Sequence, residues 1–143
     1  MGSTEGHLKR IKEHLGEIQD AVDAGPENKP IDVGFHCSAC ATELLELYLH
    51  RSGRITIGKM VKHDWFSHPA PDQKVLPMID RNLPVTFPGK DEIYGLIYEI
   101  EDNRNKLIYG SPAAPLVKHV MESFMKLKEK LAKMLAEEGI EIE

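Results

Sequence analysis

The sequence predicts an all-α fold, a four- to five-helix bundle with a proline-rich irregular excursion at about 67–90. Three observations predict it. Four long stretches carry apolar residues at spacings of three and four, the period of a helix with one buried face. Gly-Pro or Gly breaks separate most of them, and five prolines crowd the one stretch that lacks the period. Amphipathic helices must bury their stripes against one another, so a bundle follows.

The first helix spans 7–24, where Leu8, Ile11, Leu15, Ile18 and Val22 form the stripe; Gly25-Pro26 stops it, and 25–30 is a loop. The second runs about 32–52, with Asp32 as candidate N-cap and Gly53 as the stop. Cys37, Cys40, Ala41, Leu44, Leu47 and Tyr48 share one face of it, widened by Leu45 and Leu49. A shorter helical piece is expected around 56–66. Pro69, Pro71, Pro77, Pro84 and Pro88 then leave room for a helical turn near 73–80 and an extended piece from Leu83 to Pro88. Ordered irregular stretches of this length are often functional. The third long helix covers 90–109 and closes at Gly110; Ser111-Pro112 reads as the cap and first turn of the last, 112–137. Leu116, Val120, Phe124, Leu127, Leu131 and Met134 mark its stripe. The 143 residues suit one domain, 1–143, with 1–6 and 139–143 expected to fray.

Apolar residues at 41% and charged residues at 29% are a globular mixture, and no apolar run approaches the roughly 18 residues a membrane span needs, so no membrane partner is expected. The first ten residues lack the apolar stretch of a secretory signal, and the two cysteines, both in His36-Cys-Ser-Ala-Cys40, leave no disulfide framework; a cytoplasmic location is expected. A net charge of −5 argues against a broad electrostatic grip on nucleic acid while allowing a local basic groove. P-loop, dinucleotide-turn and nucleophile-elbow motifs are absent. The run KLKEKLAK at 126–133 reads as a solvated helix face.

One residue breaks its pattern. With Ile93 at zero and about 100° per residue, Leu96, Ile97, Ile100, Leu107 and Ile108 lie within about 60° of the stripe's centre, and Arg104 at about 20°. A guanidinium among apolar neighbours is costly unless paired or solvated at a cleft. Either it pairs internally with Glu101, Glu43 or Glu46, or it meets a phosphate or a charged transition state at an interface. Its flank carries Tyr94, Tyr98, Glu101, Asn105 and Tyr109, an aromatic and hydrogen-bonding strip on which Tyr98 and Glu101 are candidate substrate-binding residues.

His36, Cys37 and Cys40 hold one ligand pair where a structural zinc site needs four ligands, and the cysteines fall on the apolar face, which favours packing; His63, Asp64 and His68 would complete a site only through the fold. No metal and no cofactor are expected. In Lys62–His68, His63 and Asp64 suit acid–base work, but adjacent helical residues do not face one another. The histidines therefore read as surface or supporting groups, with Trp65 and Phe66 anchoring the loop.

The segment Gly34-Phe-His-Cys-Ser-Ala-Cys-Ala-Thr-Glu-Leu-Leu-Glu-Leu-Tyr-Leu resembles the second helix of HEPN domains, and Asn103-Arg-Asn-Lys-Leu-Ile-Tyr-Gly110 resembles their signature, an Arg followed by a polar residue and, a turn later, a His. The resemblance covers most of the chain except 67–90. It implies a four- or five-helix bundle that pairs as a homodimer and acts on RNA or nucleotides, often as a metal-independent ribonuclease. Arg104 and Asn105 match the Arg-polar pair, and Tyr109 stands where His is expected. A tyrosine, with an ordinary pKa near 10, is a poor acid–base group at neutral pH yet can donate a hydrogen bond to phosphate. The catalytic candidates are therefore Arg104, Asn105 and Tyr109, with His119 the nearest substitute for the missing imidazole. The alternative implied is a catalytically inactive helical module partnering a nucleotidyltransferase or another subunit.

Overall fold

The computed structural model describes residues 3–56 and 58–142. It is all-α, with no strand among the described residues. Five helices follow in order: α1 (Thr4–Asp23), α2 (Pro30–Arg51), α3 (Met78–Asn82), α4 (Lys90–Tyr109) and α5 (Ala114–Glu137). Single 3-10 turns lie at Pro26–Asn28 and His63–Trp65.

The central element is α2, against which α1, α4 and α5 all pack, while α4 also packs on α5. That position explains its composition: Cys37, Cys40, Ala41, Leu44, Leu45, Leu47, Tyr48 and Leu49 are all buried, so the helix is apolar nearly all round. Ile11 and Ile18 of α1, Ile93, Ile97, Ile100 and Leu107 of α4, and Val120, Phe124, Leu127 and Leu131 of α5 close one continuous core around it. Among the described residues no helix is long and apolar enough to cross a membrane.

Several boundaries differ from the sequence reading for identifiable reasons. Ser3 accepts a hydrogen bond from the Gly6 amide at 3.0 Å, so α1 starts at Thr4, inside the stretch expected to fray. Met1 and Gly2 lie outside the described residues. Val22 is exposed and Ala21 takes the buried position. Pro30 occupies the first turn of α2, which puts Asp32 inside the helix rather than at its cap, and part of the expected 25–30 loop is the first 3-10 turn. Gly53 does end the helix, at a φ of 75° that favours glycine. Only His63–Trp65 is helical in the 56–66 piece, of which Ile57 lies outside the described residues. The turn expected near 73–80 is α3, shifted to Met78–Asn82. On α5 the first turn is set by Pro115 and the cap by Ala113, in place of Ser111-Pro112. At the C-terminal tail Gly139 adopts a φ of 83°, the Ile140 amide donates to the Leu135 carbonyl at 2.9 Å, and Ile140 is buried. Glu143 lies outside the described residues.

The proline-rich excursion is pinned by apolar side chains at both ends. Phe66 is buried edge-on against Tyr94 and Tyr98, as expected of a loop anchor. Ile79, Leu83 and Phe87 hold the far end, with Phe87 edge-on to Tyr48 and Tyr94. Between them, Val75 and Leu76 are exposed.

The antiparallel α2–α4 contact is close because position 34 is glycine. A Cβ there would lie 2.9 Å from Leu107 Cβ and 3.3 Å from the Arg104 carbonyl oxygen. Gly34→Ala is expected to lose about 1–2 kcal/mol, steric strain outweighing the better helix propensity of alanine. A urea titration showing equal or greater stability would mean that the two helices separate freely.

Candidate functional site

Arg104 reaches the α2–α4 seam from the penultimate turn of α4 and is half-buried. Its Nε is buried with no hydrogen-bond partner, and one terminal nitrogen donates to the Asn105 side-chain Oδ1 at 3.3 Å. Internal neutralisation does not occur, because each carboxylate considered for it is engaged elsewhere. Glu101 accepts from Ser38 Oγ and faces His63 Nδ1 at 2.9 Å. Glu43 is held by His7 and Arg10, and Glu46 accepts from the Val61 amide at 2.7 Å. Among the described residues no carboxylate oxygen lies within 4 Å of the Arg104 guanidinium.

Asn105 and Tyr109 follow on the same flank and are exposed, Tyr109 at 79%. Ile31 and Phe35, at the facing end of α2, are exposed as well. Arg104, Asn105 and Tyr109 therefore share one surface. Tyr98 and Glu101 do not open onto it. The Glu101 side chain is only 5% exposed, and His68 stacks on Tyr98 with ring centroids 4.3 Å apart while pairing with Asp102 at 3.2 Å. Burial, together with the charges of Asp80 and Asp102, raises the Tyr98 hydroxyl pKa above its ordinary value. The start of the excursion has thus docked over the strip that the sequence offered as substrate-binding. His119 pairs with Glu99 at 2.8 Å, roughly three turns of α4 from Tyr109, and does not stand in for an imidazole there.

No family model, curated protein or solved structure matches this chain. What this surface does must therefore be argued from its own side chains.

Cys37 and Cys40 are fully buried free thiols, and His36 turns instead to His14, their Nδ1 atoms 2.9 Å apart. Burial pushes the Cys40 thiol up to about 12 and raises Cys37 as well, the second thiol adding to the effect. Neither is available as thiolate. At pH 8 the native protein is expected to release no thiol to a disulfide reagent within minutes, and both on unfolding. Rapid native reaction of either cysteine would show that the core opens there.

A second polar cluster, which the sequence reading passed over, lies on the opposite flank of α2. His7 is completely buried between α1 and α2. Its Nδ1 donates to Glu43 Oε1 at 2.7 Å, and Arg10 Nε donates to the other Glu43 oxygen at 2.8 Å. His7 Nε2 lies 3.2 Å from Glu46 Oε2 without the alignment of a hydrogen bond. His50 Nε2 donates to the Lys59 carbonyl at 3.0 Å and lies 3.9 Å from the same Glu46 oxygen, while its buried Nδ1 has no partner. The legible signal was Glu43, Glu46 and His50, three polar residues at spacings of three and four along an otherwise apolar helix.

Proposed function

We propose that this chain binds the phosphodiester backbone of RNA as a homodimer, through the surface that carries Arg104, Asn105 and Tyr109. The observation that supports it is a half-buried guanidinium without a carboxylate partner, at a place where apolar packing would otherwise be free of charge. A phosphate supplies the missing counter-charge and fits the planar donor fork. Asn105 steadies Arg104 and offers an exposed amide, and the Tyr109 hydroxyl donates to a second phosphate oxygen. Exposed Ile31 and Phe35 on the same end of the helix pair give a second copy something apolar to cover, which would bring two Arg104 groups to one cleft. The resemblance of 34–49 and 103–110 to HEPN domains points the same way, and metal-independent cleavage is the chemistry it would add.

A catalytically silent module of the same fold, docking on a nucleotidyltransferase or another subunit, is the second reading. It is favoured by Tyr109, which has no imidazole beside it to move a proton.

The test is fluorescence anisotropy with single-stranded RNA, alongside light scattering for the dimer. Arg104→Ala is expected to weaken binding by at least about tenfold and to flatten its salt dependence, as loss of a charge-assisted phosphate contact does. Unchanged affinity in that variant removes the reading. Cleavage in chelator that is lost in Tyr109→Phe would establish the enzyme; binding without cleavage supports the silent module.

A further inference from the structure

We infer that His7, Glu46 and His50 form a binding site for one divalent transition-metal ion of the zinc class, bridging α1 and α2. One donor atom from each residue lies within 4.8 Å of the other two, and among the described residues no other group of His, Cys, Asp or Glu side chains is arranged in this way.

The hydrogen bonds around the cluster decide which atoms are free to ligate. A carboxylate and a carbonyl only accept, so a nitrogen in an aligned hydrogen bond with one of them is the protonated one. Glu43, at 2.7 Å, therefore fixes the proton of His7 on Nδ1 against an Arg10 nitrogen that only donates and lies farther away at 3.3 Å, and the Lys59 carbonyl fixes that of His50 on Nε2. Each ring is left with one lone-pair nitrogen, His7 Nε2 and His50 Nδ1, both buried without a partner; the His50 nitrogen within 4 Å of Glu46 is Nε2, at 3.9 Å, so His50 brings Nδ1 onto the ion by turning its ring. A metal-ligating histidine has this pattern, one nitrogen anchored to a carboxylate or backbone carbonyl and the other on the ion.

Charge and distance agree with it. His7 Nε2 and Glu46 Oε2 both present lone pairs, and at 3.2 Å with no aligned proton they face one another where His7 is fully buried and Glu46 nearly so. A cation between them removes that conflict. Two ligands each about 2.1 Å from a tetrahedral ion sit about 3.4 Å apart, close to the separation seen here. The other Glu46 oxygen is held by the Val61 amide, so the carboxylate is already turned toward His7. Arg10 on Glu43 completes an Arg–carboxylate–imidazole line behind the site.

Two imidazoles and one carboxylate suit zinc and its borderline neighbours better than calcium or magnesium. Three protein ligands leave one position for water. A cleft of about 330 Å³ lined by Arg10, Thr42, Glu43, Glu46 and residues 58–61 opens beside the cluster and gives the ion a path. The site is independent of the Arg104 surface.

Titrating the chelator-stripped full chain with Zn²⁺ should give one equivalent bound and a rise in melting temperature that depends on metal concentration. Co²⁺ should produce visible d–d absorption without the near-ultraviolet band of a thiolate ligand, which separates this site from Cys37 and Cys40. His50→Asn and Glu46→Gln should each lose at least about tenfold in affinity, while His14→Ala, which removes the nearest surface histidine pair, should not. His7→Asn is the most buried change; circular dichroism reports whether it folds, and the His50 variant carries the test if it does not. Absence of binding below millimolar Zn²⁺ overturns the proposal, as does affinity that survives His50→Asn and Glu46→Gln or vanishes with His14→Ala.

Discussion

Leu44→Ala and Ile100→Ala are each expected to lower the unfolding free energy by about 2–5 kcal/mol, the range for deleting three buried carbon atoms from a well-packed core. Both side chains are 0% exposed. Leu44 belongs to α2, which touches every other long helix, so no single neighbour can move in to fill the space without leaving another. Ile100 lies on the buried face of α4, one turn before Arg104. Part of the cost is the lost transfer of apolar surface and part is the cavity that remains. Ile31→Ala supplies the contrast: at 58% exposure it should cost under about 0.5 kcal/mol in the monomer. Urea unfolding at neutral pH measures all three. Losses below about 1 kcal/mol for Leu44 or Ile100 would mean that the core relaxes around them, and the central position of α2 would have to be given up.

How much of this was readable beforehand depends on whether the signal is local. Helical periodicity is local, so α1, α2, α4 and α5 were found with most of their buried positions; on α2 the burial of Val33, Gly34, Ser38 and Glu46 was missed, and on α4 Tyr94 is buried while Leu96 and Ile108 are only half-buried. Helix starts are decided by one or two residues: Ser3 caps α1 by accepting from the Gly6 amide, and Pro30 opens α2 because its φ is already helical and it has no amide to satisfy. The turn at Gly139, which brings the Ile140 amide back to the Leu135 carbonyl, is a reversal that a short acidic terminus does not advertise. The site divides in the same way. Arg104 was conspicuous since its anomaly lies within one helix. The fate of Tyr98 and Glu101 was not, because it depends on His63 and His68 arriving from a loop thirty or more residues earlier. His7 was invisible for the same reason: it meets Glu43 and Glu46 only across the α1–α2 interface, and a histidine near a chain start has no pattern to violate.

Glu43 carries the second large effect, and its sign follows from which influence on the carboxyl prevails. Burial alone would raise its pKa, but hydrogen bonds from His7 and Arg10 outweigh burial and hold it below the ordinary carboxylate value of 4.5. A carboxyl whose pKa is lower folded than unfolded adds stability above the unfolded value, and that contribution disappears as pH falls through the folded one. Glu43→Gln keeps the shape and one acceptor but removes the charge, and it leaves fully buried His7 without its anionic partner. At pH 7 the variant should be less stable than the parent by about 2–3 kcal/mol, the scale of hydrogen bonds to a charged group. The gap should narrow below about pH 4.5 and nearly close once Glu43 of the parent is protonated. Urea unfolding of both proteins at pH 7 and pH 3, with chelator present so that metal release does not contribute, reads the difference directly. A gap of the same size at both pH values would trace the loss to packing and leave the Arg10–Glu43–His7 line without an electrostatic role.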